Sequence, residues 1–183
     1  MYGKWLAGLC LWLVVASGVQ AAEVYLRAGL GLSDYKARGE YLGNRGEPGF
    51  DDLDYSGMAG VGVRFWQRVS LEVSNLELEF LPFITDHLYG VDGYATRWLA
   101  GYQHPLNDWA HLGVQAGVMD WKVDVKPAIL RGSRSFSGRD TYYGLLLRLG
   151  NQRAAFLMGH DRSKFESINY KLNWVGFELA FGR

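Results

Sequence analysis

The 183-residue sequence contains little cysteine and little proline, and neither sign of charge is in excess. Its one cysteine, Cys10, lies near the N-terminus, so the chain beyond it can form no disulfide, zinc–thiolate site or cysteine nucleophile. The four prolines fall in or beside predicted connections, because strands tolerate proline poorly. Lys and Arg together number 19, as do Asp and Glu, so the composition gives no electrostatic reason to expect a nucleic-acid partner.

Long apolar runs are also scarce, and the one near the N-terminus is too short to span a bilayer. It extends from Trp5 to Val15, whereas a membrane-spanning helix needs ~20 apolar residues. Lys4 precedes this run, and the small residues Val19 and Ala21 follow it, which is the pattern of a cleaved export signal. We therefore predict a signal peptide at residues 1–21 and a single domain at residues 22–183, with an uncleaved membrane anchor as the alternative.

Glycine and aromatic residues are abundant, with 24 glycines and 15% Phe, Trp and Tyr. Helical periodicity is weak, whereas apolar and polar residues alternate with period two in eight segments. The predicted strands cover about 24–36, 55–66, 69–80, 92–104, 110–125, 140–150, 153–164 and 169–182. Their connections are alternately long and short, except that the last is short. Short turns at one end and long loops at the other are typical of a transmembrane β-barrel.

One face of the strands combines glycine with about one long charged or polar residue, as in Gly29 and Gly31 with Arg27. A water-facing surface would carry many lysines and glutamates instead, so this face is predicted to line the inside of an eight-stranded barrel. The interior of such a barrel is just wide enough for side chains to fill it. An unpaired buried charge is costly, so these charges should pair. The predicted interior charge network is Arg27, Arg64, Glu72, Arg97, Arg148 and Glu178. Because arginine is in excess, Asp161 or Glu77 is expected to turn inward as well. The network either plugs the barrel or lines a narrow conductive path.

The opposite face is predicted to contact lipid, because it carries Val, Leu, Ala and Phe, as in the terminal residues Val175 to Phe181. A closed sheet leaves no unpaired edge in hydrocarbon. Residues 154–158 are apolar on both parities, so the face of that strand is left open. The alternative is a soluble sandwich with an aromatic core. Aromatic residues near the strand ends are predicted to form interfacial girdles, namely Trp66, Tyr102 and Trp109 by the short turns and Tyr35, Tyr55, Tyr94, Trp121, Tyr143 and Tyr170 toward the long loops.

The export signal, eight strands, alternating connection lengths and aromatic Phe181 near the C-terminus resemble the small OmpA/OmpX-type outer-membrane β-barrels. The resemblance covers the whole chain after the signal and rests on architecture. It implies an all-β, eight-stranded antiparallel up-and-down barrel in a Gram-negative outer membrane, with outer-membrane lipids and lipopolysaccharide as partners. It also implies that Phe181, here followed by Gly182 and Arg183, is the signal read by the outer-membrane assembly machinery. We expect a monomer without a cofactor.

The predicted function is a non-enzymatic, membrane-anchored scaffold that displays surface loops for envelope integrity or surface contact. The alternatives are a lipid A-modifying hydrolase, a small channel and a soluble periplasmic ligand-binding barrel. The catalytic candidates for a hydrolase are His160, Ser163 and Glu166, but a separation of three places His160 and Ser163 on opposite faces of a regular strand. The four histidines show no metal-ligand spacing, so no metal site is expected.

Two of the predicted long loops carry opposite charge, which predicts either pairing across the barrel mouth or contact of the basic loop with lipopolysaccharide phosphates. Solvated charges without a partner are the alternative. The acidic set is Glu40, Glu47, Asp51, Asp52 and Asp54, and the basic set is Lys126, Arg131, Arg134 and Arg139.

Overall fold

The computed structural model describes residues 22–37, 51–77, 89–127, 134–165 and 168–181. Within these ranges no helix is long and apolar enough to cross a membrane. Eight strands account for almost all of the described residues. They are β1 (Ala22–Ala37), β2 (Asp51–Phe65), β3 (Val69–Glu77), β4 (Tyr89–Pro105), β5 (Ala110–Pro127), β6 (Arg134–Gly150), β7 (Ala154–Phe165) and β8 (Ile168–Phe181).

The strands form one closed antiparallel barrel in chain order, in which β8 pairs with β1. The predicted fold class is therefore confirmed, and the soluble sandwich is excluded. Following the paired residues once around the barrel from Leu147 leads back to β6 at Ser137, ten positions along the strand. This stagger tilts the strands by roughly 35–45° from the barrel axis. Closure gives every strand a paired neighbour on both sides, although within the described residues the loop-end segments 51–56 of β2, 89–93 of β4 and 134–141 of β6 pair on one side only.

Side-chain and backbone chemistry explains the three tight connections. Between β2 and β3, Trp66 and Gln67 have the positive φ values of 51° and 59°, and the Arg68 N–H closes this turn by donating to the Phe65 carbonyl at 3.0 Å. Between β4 and β5, the Asn107 Oδ1 accepts hydrogen bonds from the backbone N–H groups of residues 109 and 110. The Asn151 Oδ1 does the same for residues 153 and 154 between β6 and β7. We call the barrel end that holds these turns the turn end, and the opposite end the loop end.

All strands except β3 extend further toward the loop end than the sequence predicts, whereas β3 ends at Glu77 and the predicted residues 78–80 lie outside the described residues. The largest difference is β6, which begins at Arg134 instead of residue 140 and pairs with the extended end of β5. Gly138 lies against the ring of Trp121 there, and a Cβ added at residue 138 would be only 2.8 Å from that ring. The predicted charged loops are therefore wrong in part. Asp51, Asp52, Asp54, Lys126, Arg134 and Arg139 lie in strands, whereas Glu40, Glu47 and Arg131 lie outside the described residues.

Residues of the two parities face opposite sides of the wall as predicted. The outward side chains from Val24 to Leu32, from Leu112 to Val118 and from Val175 to Phe181 form an apolar band around the barrel. The open question on β7 is settled, since Ala155 and Leu157 are buried inside and Met158 is exposed outside.

The aromatic residues predicted to form girdles do not all face outward, and the prediction is wrong for two of them. Trp121 and Tyr170 are buried inside the barrel, because their parity is that of the interior. The Tyr35 side chain lies outside the described set. The remaining predicted girdle residues are exposed on the outer face or at the turns, namely Tyr55, Trp66, Tyr94, Tyr102, Trp109 and Tyr143.

Candidate functional site

The barrel interior contains all six residues of the predicted charge network, each only 1–5% exposed. They reach the interior because each has the inward parity of its strand. Glycines of the same parity make room for them. At Gly62, for example, an added Cβ would collide with the ring of Tyr25, which packs between the arginines.

Glu178 on β8 is the centre of a cluster near the turn end. Its carboxylate accepts hydrogen bonds from Arg64 Nη2 at 2.6 Å, Arg148 Nε at 2.9 Å and Arg27 Nη2 at 3.2 Å. Arg27 is directly opposite Glu178 in the β1–β8 register, whereas Arg64 and Arg148 reach it from β2 and β6. The Glu178 carboxylate therefore links β8 to β1, β2 and β6.

Glu72 on β3 supplies the second carboxylate of this cluster. Its Oε2 is 2.7 Å from Arg27 Nη1 and accepts a hydrogen bond from the Tyr25 hydroxyl at 3.1 Å. The Tyr25 ring centroid is 5.3 Å from Arg27 Cζ and 4.9 Å from Arg64 Cζ, within cation–π range. Tyr25 was not predicted as part of the network, although its parity, which is that of Arg27, indicates it.

Asp161 on β7 is the acceptor of a second cluster. It receives hydrogen bonds from the Tyr142 hydroxyl and Trp174 Nε1, each at 2.5 Å, and from Gln115 Nε2 at 2.9 Å. Arg97 Nη1 lies 3.8 Å from the same carboxylate and donates to the Tyr142 hydroxyl at 2.6 Å. Asp161 is thus the inward acid that the arginine excess predicts.

The other candidate for that role, Glu77, points outward and is exposed, so this part of the prediction is wrong. Glu23 is the further carboxylate instead, because its Oε2 is 3.6 Å from Arg64 Nη1 at the turn end. With Glu23 and Asp161 included, four carboxylates face the four inward arginines Arg27, Arg64, Arg97 and Arg148. Pairing of this kind is what a low-dielectric interior requires of the charges that it holds.

The three catalytic candidates do not form a site within the described residues. His160 faces outward, where its Nδ1 is 2.7 Å from the Asn173 Oδ1, whereas Ser163 faces inward and donates a hydrogen bond to the Thr141 carbonyl at 2.8 Å. The barrel wall therefore separates the nucleophile candidate from the base candidate, and catalysis requires the two within hydrogen-bond reach. Glu166 lies outside the described residues.

The remaining predicted groups are placed as follows. His104 is exposed on the outer face and His111 faces inward at the turn end, so the pair that flanks one turn is divided by the wall. No group of three potential metal ligands occurs among the residues that the structure describes. Phe181 is 53% exposed on the outer face, opposite Val24, and its role in assembly stays a prediction.

Solved structures of known proteins share this architecture. Neisserial surface protein A is 10% identical, with 86% of this chain and 97% of that chain covered and a TM-score of 0.66. The fold is that of the small eight-stranded outer-membrane barrels. Ail, the attachment invasion locus protein of Yersinia pestis, is 16% identical over 88% and 99% of the two chains, with a TM-score of 0.60. OprG of Pseudomonas aeruginosa is 16% identical over 91% and 99%, with a TM-score of 0.59. No protein-family model and no curated protein sequence matches the chain.

Proposed function

We propose that this protein is a non-enzymatic outer-membrane β-barrel that anchors surface loops in a Gram-negative envelope. The observation that carries the proposal is the pairing of an apolar outer band with a fully buried set of interior ion pairs in a closed barrel. Such a band is stable against hydrocarbon, and closure satisfies the backbone there. The turn end faces the periplasm and the loop end faces outward, as in outer-membrane barrels generally.

The interior supports an anchor more than a channel. Glu178, Glu72 and Asp161 join side chains from seven strands across the interior, so an ion would have to break several buried charge-assisted bonds to pass. Removing one partner of such a pair, which leaves the other charge buried and uncompensated, costs about 3–5 kcal/mol. The network therefore acts as a plug, and it stabilises the closed barrel.

The loops are the part of the molecule left for function. Connections at the open ends of rigid barrels carry binding functions in many proteins. Two of the similar structures belong to a surface protein and to an attachment protein, and the second was solved with a heparin analogue. These relatives support a role in surface contact, by analogy of fold.

The enzymatic alternative, a lipid A-modifying hydrolase, is tested by mass spectrometry of lipid A from otherwise identical cells with and without the protein. We expect identical acylation in the two samples, because His160 and Ser163 lie on opposite sides of the wall. The control is a strain producing the Ser163→Ala variant at the same level. An acyl chain lost only when the wild-type protein is present would contradict the proposal.

A further inference from the structure

A group of basic residues lies on the outer wall of β7 and β8 at the loop end. It consists of Arg162, Lys164 and Lys171, all with outward parity, and we call it the β7–β8 basic patch. The interior network does not use these residues, and the proposed anchoring role does not require them.

Arg162 and Lys171 of this patch lie close together, which destabilises the barrel when no ligand is bound. Arg162 is directly opposite Lys171 in the β7–β8 register, and like charges opposite each other across two strands are destabilising. Arg162 Nε lies 3.1 Å from His160 Nε2, and the other ring nitrogen, His160 Nδ1, lies 2.7 Å from Asn173 Oδ1. These two contacts hold the Arg162 guanidinium beside the His160 ring.

Counter-charge at the patch is incomplete. The Lys171 Nζ is 3.5 Å from the Asp34 Oδ2, whereas neither Arg162 nor Lys164 has an ion pair with a carboxylate of the described residues. Arg139 on the neighbouring strand differs, because Asp120 binds it through two hydrogen bonds of 2.5 and 3.1 Å. Among the described residues, the patch thus holds three cations against one carboxylate.

The position of the β7–β8 basic patch along the barrel axis indicates which kind of ligand it meets. The apolar band ends at Met158 on β7, so Arg162 lies four residues, or about 13 Å along the strand, beyond it. The exposed ring of Tyr143 is directly opposite Arg162 on β6, at the boundary that interfacial aromatics occupy. In the proposed orientation this level is that of the outer-leaflet headgroups.

We propose that the β7–β8 basic patch binds the phosphate groups of lipopolysaccharide. The inference rests on the proposed outer-membrane location, since the same patch at the periplasmic side would meet other lipids. A phosphate between Arg162 and Lys171 removes their repulsion, and the guanidinium fork suits a phosphate group. Binding lipopolysaccharide at this point ties the anchor to the leaflet that surrounds it.

The test uses the full mature protein refolded in phosphatidylcholine nanodiscs that contain either bisphosphorylated or dephosphorylated lipid A. Lipid retained on the protein after extraction is quantified by native mass spectrometry. We expect the wild type to retain the bisphosphorylated form and the Arg162→Gln/Lys171→Gln variant to bind it roughly 30-fold more weakly. The control variant is Arg68→Gln/Arg153→Gln, which removes two exposed cations at the turn end and should bind as the wild type does.

Either of two results would overturn the site. One is equal retention of bisphosphorylated lipid A by the patch variant and the control variant, and the other is equal retention of the bisphosphorylated and dephosphorylated forms by the wild type. The same spectra report the intact mass of the lipid A. Hydrolysis seen there would refute the proposed function, whereas the retained amount alone decides the site.

Discussion

Replacing Glu178 by glutamine is expected to lower the free energy of unfolding of the barrel by about 3–5 kcal/mol. The glutamate binds Arg27, Arg64 and Arg148, and all three are buried. Glutamine has nearly the same shape but carries no charge. Its amide group adds hydrogen-bond donors where three guanidinium groups are already donors. The loss therefore comes from uncompensated buried charge, and packing volume hardly changes.

The measurement is urea unfolding of the protein refolded in lipid vesicles, with folded protein followed by its heat-modifiable gel migration. Glu77→Gln is the matched control, since Glu77 is exposed on the outer face and its change should be within about 0.5 kcal/mol. Adding Arg148→Gln to Glu178→Gln should recover part of the loss, because one buried cation is removed. A Glu178→Gln variant within about 0.5 kcal/mol of the wild type would contradict the assignment.

Replacing Asp161 by leucine is expected to have an effect of similar size, again about 3–5 kcal/mol. The carboxylate is the shared acceptor for Gln115, Tyr142 and Trp174, and it is the acid nearest to Arg97. Leucine fills a similar volume and leaves these donors without their acceptor. Each unsatisfied buried donor costs about 1–3 kcal/mol.

Asp161→Asn separates the two contributions, because asparagine keeps one oxygen acceptor and removes the charge. We expect the same urea titration to place its free energy of unfolding between the wild type and the leucine variant. Tyr142→Phe in each background gives the coupling between Asp161 and the Tyr142 hydroxyl, which should exceed about 1 kcal/mol. Equal stability of the leucine variant and the wild type would show that the Asp161 cluster does not hold the interior together.

The period-two pattern predicted the strand count and the inward charges, and together with the alternating connection lengths it predicted the barrel. A strand that crosses between an apolar medium and a packed interior must alternate, and a shift of one residue reverses every side chain. The same parity places Trp121 and Tyr170 inside, and it outweighs their position near the strand ends. The rule that aromatics form girdles misplaced them because it ignored parity.

Two features could not be predicted from the pattern. The start of β6, R-S-F-S-G-R, lies beyond the apolar band. Its sequence therefore lacks the regular alternation of apolar and polar residues by which the other strands were predicted. The partners of each interior charge depend on the stagger of ten positions, which brings Arg64 and Arg148 to Glu178 from non-adjacent strands. Parity determines that a residue points inward, whereas the stagger of the closed sheet determines what it meets.

Current across a planar lipid bilayer is the measurement that decides whether the interior ion pairs plug the barrel. Wild-type protein inserted at high density should give no steady unitary conductance if the buried ion pairs around Glu178 and Asp161 form the proposed plug. Insertion is verified by heat-modifiable migration of the protein recovered from the membrane. Stepwise, lasting conductance of the wild type would contradict the plug and favour a small channel.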